Sequence, residues 1–186
     1  MSQFEYVSIA ISMVYALVIS RLLGAAFAAF RAPARYSVHV AWLFTMFLLC
    51  AFSWWRLWDI REIDWSGPLF VFAFISPAIL SLQVSALIGD DIEKPRSYRD
   101  VFFRNRVPFF AITCSFCVIG FIAPWIYGIA PWFEVGPYQR VTIVGLAISA
   151  AGIVLPSHRA QVAIVTCALM GLVAGFLVPF SDGGGG

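Results

Sequence analysis

Arg21 is the residue of this 186-residue chain whose type and position most suggest chemistry. The apolar stretches on either side of it, 6–20 and 22–30, are each too short to cross a bilayer, so a span through this region contains the arginine. An intramembrane arginine costs roughly 3 kcal/mol on insertion scales and commonly marks a substrate or ion pathway. An alternative of comparable weight places Arg21 only ~6 Å from the inner edge of the bilayer, where its side chain reaches the headgroups.

Uncharged polar side chains are the candidate partners of Arg21, because no predicted span contains a carboxylate. Gln83 precedes Asp90 by seven residues, about 10 Å along a helix, and therefore lies at a depth similar to that of Arg21. Ser76 lies two turns away on the same face, and His39 joins this group or titrates as a pH sensor. We expect these four residues to form a polar site in the inner half of the bilayer. Interhelical hydrogen bonding without transport, with His39 as a simple interfacial anchor, explains them slightly better.

Cys114 and Cys117 form a C-x-x-C pattern, which can indicate quinone-linked thiol chemistry in a membrane protein. The pair lies near the middle of a predicted span, with no nearby cation or helix N-terminus to lower a thiol pKa. No second cysteine pair lies in an outer loop to relay electrons. Buried small apolar residues are therefore the better interpretation, and we expect no enzyme activity, with thiol or quinone redox chemistry as the lesser alternative.

The residue inventory excludes several other activities. The only lysine is Lys94 in a loop, so no retinal Schiff base forms within a span, and no phosphate-binding G-x-x-x-x-G-K-[ST] motif is present. No potassium filter or arginine ladder appears. His39 and His158 are too few for a zinc site, and as haem ligands they are a remote option. We expect no cofactor and no metal, and the net charge of +2 indicates no nucleic-acid partner.

The elements that must position these residues are membrane spans. The chain is 61% hydrophobic and only 12% charged, whereas a soluble domain has about a quarter of its residues charged. At roughly 20 residues per crossing, the apolar runs predict an all-α integral membrane protein with short loops. Its single domain covers residues 1–182, followed by a flexible glycine tail or linker at 183–186. The six predicted transmembrane helices are at about 6–30, 38–55, 68–89, 108–126, 138–156 and 161–180.

The first helix is too long for a signal peptide and lacks the preceding basic residues, so we expect it to stay in the mature protein. Cations predict the orientation, because lysine and arginine collect in cytoplasmic loops. The side with the fewer cations carries six of the seven tryptophans, and we predict that both termini lie on that outer side. The eight cations of the other side are Arg31, Arg35, Lys94, Arg96, Arg99, Arg104, Arg106 and Arg159.

The one long cytoplasmic connection, 89–107, predicts a short amphipathic helix lying at the membrane surface. Pro95 and Ser97, with Asp100 three residues after the serine, resemble a capping box. An apolar face is surrounded by basic residues that would meet anionic lipid. The alternatives are a solvated charged loop and a docked partner. The residues of this proposed contact are Tyr98, Arg99, Val101, Phe102, Arg104 and Arg106.

Small residues predict where neighbouring helices approach closely. Helix 5 carries Gly145, Ser149 and Gly152 on one side, and helix 6 carries Gly171 and Gly175 in a G-x-x-x-G pattern. Because only about four residues separate the two helices, we expect an antiparallel hairpin packed through these faces.

Three segments, S-R-L-L-G, S-W-W-R-L-W and F-F-R-N-R-V-P-F-F, resemble those of small multi-pass bacterial membrane proteins. The resemblance implies a bacterial inner membrane and carries no activity. From the residues we expect a passive or weakly gated path for a small solute or anion, formed as a homo-oligomer among membrane lipids. Arg21 would supply the selectivity charge, and Gln83 and Ser76 the hydrogen bonds. The alternative is a non-catalytic accessory or scaffold subunit of a larger membrane complex.

Overall fold

The computed structural model describes residues 2–33, 35–89 and 97–177, and these ranges contain helices and no strand. Six of the helices are long and apolar enough to cross a membrane, as predicted from the apolar runs. A 3₁₀ segment, Arg56–Ile60, continues directly from the second helix. The tail at 183–186 and the domain's last residues lie outside the described residues. The helices are α1 (Gln3–Arg31), α2 (Ser37–Trp55), α3 (Gly67–Ile88), α4 (Tyr98–Ile126), α5 (Pro137–Val154) and α6 (His158–Leu177).

Short connections stack the helices side by side, so that the bundle has two distinct ends. At one end, the ring of Phe4 in α1 lies 6.2 Å from that of Trp58, and Phe72 in α3 lies 5.4 Å from Tyr127 after α4. We call this the 3₁₀ end. At the other, the Tyr36 end, Tyr36 hydrogen-bonds to His158 at the start of α6, with 2.9 Å between Oη and Nδ1.

α2 forms the centre of the bundle. It is the most enclosed of the six helices, and its Leu43, Met46 and Cys50 are buried. α1 packs against it through a buried stripe with a spacing of three and four residues that includes Ile11, Val18 and Leu22, as expected for one face of a helix. α6 is the least enclosed helix.

The short surface helix expected within the 89–107 connection is wrong, because the described residues from Tyr98 onwards belong to a longer helix. Ser97 does cap a helix, since its Oγ accepts a hydrogen bond from the Asp100 amide, but that helix continues through Pro108 to Ile126 as α4. Its apolar face is buried inside the protein, because the rings of Tyr36 and His39 pack against it, at 5.8 Å from Phe102 and 5.3 Å from Tyr98.

The basic residues of that segment have different surroundings. Arg106 donates to the carbonyl of Gly152 over 2.7 Å, and the Arg99 guanidinium lies 5.6 Å from the Phe103 ring centroid. Contact of Arg99 and Arg104 with anionic lipid stays a prediction. Pro95, the start of the expected capping box, lies outside the described residues, as do Lys94 and Arg96.

The small-residue face of α5 packs against α4, not against α6 as expected. A Cβ at Gly152 would lie 2.5 Å from the Phe110 ring, and one at Gly145 would lie 3.0 Å from the Cys117 Sγ. The Phe110 ring and the Cys117 thiol of α4 occupy the space that these glycines leave. In α6, Gly175 faces Val141 of α5, whereas a Cβ at Gly171 would meet no atom within 4 Å.

Candidate functional site: a polar cavity at the 3₁₀ end

A cavity of about 190 Å³ lies among the helices at the 3₁₀ end of the bundle. All six helices and the 3₁₀ segment contribute to its lining. Apolar walls are provided by residues such as Leu49, Phe116 and Leu172. Its polar groups are an arginine, an aspartate, phenols and aliphatic hydroxyls, which is the mixture of apolar surface and a few directed polar groups typical of small-molecule sites.

Arg56 and Asp59 form an ion pair on the cavity wall, with 3.0 Å between Nε and Oδ2. The 3₁₀ geometry brings them together, because it has three residues per turn and places the side chains of residues i and i+3 above one another. Their side chains keep 19% and 26% of their exposure, although Asp59 Oδ2 and Arg56 Nη1 themselves are buried. The Arg56 guanidinium also lies over the ring of Tyr138 in α5, 4.1 Å from its centroid.

Three phenols line the same space. Tyr15 comes from the buried stripe of α1, Tyr127 follows the end of α4, and Tyr138 stands in the first turn of α5. Burial, reinforced by the neighbouring Tyr138, raises the pKa of Tyr127. Its hydroxyl therefore stays neutral and is able both to donate and to accept a hydrogen bond.

Thr113 continues the polar surface deeper into the bundle. It lines the cavity, and its Oγ1 accepts a hydrogen bond of 2.7 Å from Nε2 of Gln83 in α3. Gln83 is fully buried, and its Oε1 finds no hydrogen-bond partner among the described residues. About one turn further along α4, Phe109 and Phe110 pack edge-on against Trp42, at 5.1 and 5.3 Å between ring centroids. This aromatic cluster lies between the cavity and the Tyr36 end.

The structure brings together only two of the four residues expected to form a polar site. Ser76 lines the cavity, and Gln83 reaches it through Thr113. His39 is buried against Tyr98 towards the Tyr36 end, apart from the cavity.

The expected pairing of Arg21 with Gln83 is wrong. Arg21 lies exposed on the outside of the bundle, and its Nη1 donates to Ser85 Oγ over 3.1 Å. Ser85 and Gln83 are two positions apart on α3. At about 100° per residue they point in nearly opposite directions, so Gln83 faces α4 while Ser85 faces α1.

Arg56 and Asp59 are not among the site residues that the sequence predicts, because they follow the predicted span 38–55 and so belong to the outer side of the membrane. The available signal was a pair of opposite charges three residues apart, directly after an apolar helix. No comparable feature of the sequence marks Tyr138 as a site residue. It becomes part of the site only because α5 packs beside α4 and brings the first turn of α5 over the end of α2.

The cysteine pattern does not form a bonded pair. Cys114 and Cys117 are both free thiols, and of the two it is Cys117 that lines the cavity. Within residues 2–33, 35–89 and 97–177, no cluster of three or more His, Cys, Asp or Glu side chains could hold a metal ion.

No protein-family model, curated protein or solved structure matches this chain. Fold and site together define a class: an all-helical protein whose described part has six helices long and apolar enough to span a membrane. At one end of this bundle lies a polar cavity that contains an ion pair.

Proposed function

We propose that this protein is a multi-pass protein of a bacterial inner membrane that provides a weakly gated path for a small solute, with the polar cavity as its outer vestibule. The cavity carries this proposal, because it places an ion pair and several hydroxyls within reach of one aqueous side. The distribution of cations supports placing the 3₁₀ end outside. Arg31, Arg99 and Arg159 belong to the opposite end, where the positive-inside rule expects them.

The proposed path continues from the vestibule to the level of Gln83. Thr113 and Gln83 offer hydrogen bonds about one turn before the aromatic cluster of Trp42, Phe109 and Phe110. This cluster is the proposed gate, since tightly packed rings exclude water and must move aside for a solute to pass. The proposed flux is passive, and the chain carries no nucleotide-binding motif with which to drive it by ATP hydrolysis.

A homo-oligomer is part of the proposal. α5 and α6 are the least enclosed helices, and the open side of Gly171 allows the backbone of another helix to approach closely. Packing two copies through this face would stabilise the thin side of each bundle, next to the wall of the vestibule formed by α5.

Solute flux into liposomes containing the purified full chain tests the path. We expect permeation of small polar solutes above that of protein-free liposomes, an increase of about ten-fold or more for Trp42→Ala, and a loss for Arg56→Gln. Arg21→Gln is the matched control, because Arg21 lies outside the cavity and its loss should leave the flux unchanged. If neither the wild type nor Trp42→Ala exceeds protein-free liposomes, the path does not exist.

The second candidate is an accessory or scaffold subunit. It is favoured by large aromatic side chains that remain exposed at the 3₁₀ end. Native mass spectrometry after gentle extraction separates the two candidates. A homo-oligomer supports the path, whereas a stoichiometric assembly with unrelated chains supports the scaffold. The exposed aromatic residues are Trp54, Trp55, Trp58, Trp132 and Phe133.

A further inference from the structure

We infer that the cavity binds a small zwitterion, with the anionic group of the ligand on Arg56 and its cationic group at Asp59. This inference rests on the vestibule of the proposed function and specifies its solute. It starts from the charges on the wall. Among the described residues that line the cavity, Arg56 and Asp59 are the charged ones, and their formal charges sum to zero.

A lone anion is a poor ligand for such a wall. To bind Arg56 closely it must displace Asp59, which then faces the new negative charge across a few ångströms in a site with apolar walls. Like charges interact strongly there, because an apolar environment screens them weakly. A lone cation that binds Asp59 displaces Arg56, which then faces a second positive charge in the same way. When a zwitterion opens the ion pair, it gives each of the two side chains a new partner of opposite charge and leaves the filled cavity neutral.

The geometry of the pair suits a zwitterion with closely spaced charges. Arg56 and Asp59 lie on one turn of the 3₁₀ segment, so once their 3.0 Å contact opens they still face each other across a short gap, and both charged groups of the ligand fit between them. The ring of Tyr138 below the guanidinium holds Arg56 in place when Asp59 turns to the ligand. The Tyr127 and Thr113 hydroxyls remain available for other polar atoms.

The volume limits the size of the ligand. Sites for drug-sized molecules commonly span about 300–1,000 Å³, and a cavity of about 190 Å³ is smaller than this range. It therefore suits a compact zwitterion rather than a peptide or a lipid headgroup with its chains.

Binding to the detergent-purified full chain tests the inference without requiring flux. The probes are glycine and glycine betaine as zwitterions, acetate as an anion and methylammonium as a cation. Thermal shift and calorimetry measure the binding of each probe. We expect at least one zwitterion to bind ten-fold or more tightly than either single ion. Asp59→Asn should shift the preference towards acetate, and Arg56→Gln towards methylammonium.

Controls separate a binding role of the pair from a structural one. Glu62→Gln removes an acid of the neighbouring exposed Arg61–Glu62 pair, which lies outside the cavity lining, and should leave all four affinities unchanged. Arg56→Lys and Asp59→Glu keep both charges and should keep the preference for the zwitterion, even if they weaken it. Circular dichroism and size-exclusion chromatography establish that each variant is folded.

The inference is overturned if acetate binds as tightly as both zwitterions, if none of the probes binds, or if the folded Asp59→Asn variant keeps the wild-type preference. Zwitterion binding without flux in liposomes overturns the proposed path and leaves the binding site standing. Flux without a preference for zwitterions overturns the binding inference and leaves the proposed path standing.

Discussion

The guanidinium of Arg56 lies 4.1 Å from the ring centroid of Tyr138, and this contact joins the end of α2 to the first turn of α5. The contact also fixes the position of Arg56, which is the one arginine among the described residues that line the cavity. A cation over an aromatic ring stabilises by about 0.5–1 kcal/mol at exposed sites and by about 2 kcal/mol when desolvated.

Two substitutions of Tyr138 distinguish the contribution of its ring to stability from that of its hydroxyl. Tyr138→Phe keeps the ring under Arg56 and should change the free energy of unfolding by less than about 0.5 kcal/mol through this contact. Tyr138→Leu removes the ring and should cost about 1–2 kcal/mol. Unfolding in mixed micelles measures both. Equal losses for the two variants would show that the hydroxyl, not the cation–ring contact, is responsible.

The hydrogen bond between Gln83 and Thr113 predicts an energetic coupling between α3 and α4. Interhelical hydrogen bonds in membrane proteins average about 0.6 kcal/mol and reach about 1.7 kcal/mol. Because Gln83 is fully buried, we expect a coupling of about 1 kcal/mol. A double-mutant cycle with Gln83→Leu and Thr113→Val, measured by unfolding in detergent, reports it. A coupling of zero would mean that the two side chains do not interact.

Gly152 provides a test of the contact between α4 and α5. A methyl group there would lie 2.5 Å from the Phe110 ring, so Gly152→Ala should destabilise by about 1–3 kcal/mol. Gly24→Ala in α1 is the matched control, because a Cβ at that position meets no atom within 4 Å. Alanine is also the better helix former by about 1 kcal/mol, so this control should be neutral or stabilising. Equal effects in thermal unfolding would argue against the close approach of α4 and α5.

The predicted orientation is tested by reporter fusions. Alkaline phosphatase fused to the C-terminus should be active and green fluorescent protein should be dark, because the positive-inside rule places that end outside. Insertion of the same reporters in the connection between α3 and α4 should give the opposite result. Reversed signals at both positions would place the 3₁₀ end in the cytoplasm and turn the vestibule inward.

The residue types and their order along the chain determined much of this protein. Low charge and long apolar runs predict six helices, since a segment that crosses a bilayer alone satisfies its backbone hydrogen bonds only as a helix. Local rules were equally reliable. Ser97 caps a helix as its spacing from Asp100 indicates, and each apolar run lies in a helix, although α4 begins about ten residues before its predicted start.

Only the tertiary structure decided which polar residues meet. Depth along a helix is readable from spacing, but the direction in which a side chain points depends on which helices are neighbours. That choice sends Gln83 to Thr113 and leaves Arg21 with Ser85 on the outside. Likewise, the small residues of α5 indicate a close contact without naming its partner, which is α4.

The residues of the cavity show the same distinction between what the local sequence determines and what the packing of the helices decides. Its ion pair is local, because the 3₁₀ turn alone brings Asp59 over Arg56. Its phenols come from α1, the end of α4 and the start of α5. They converge only when the helices pack, because packing is determined by the fit of whole surfaces rather than by any short segment of sequence.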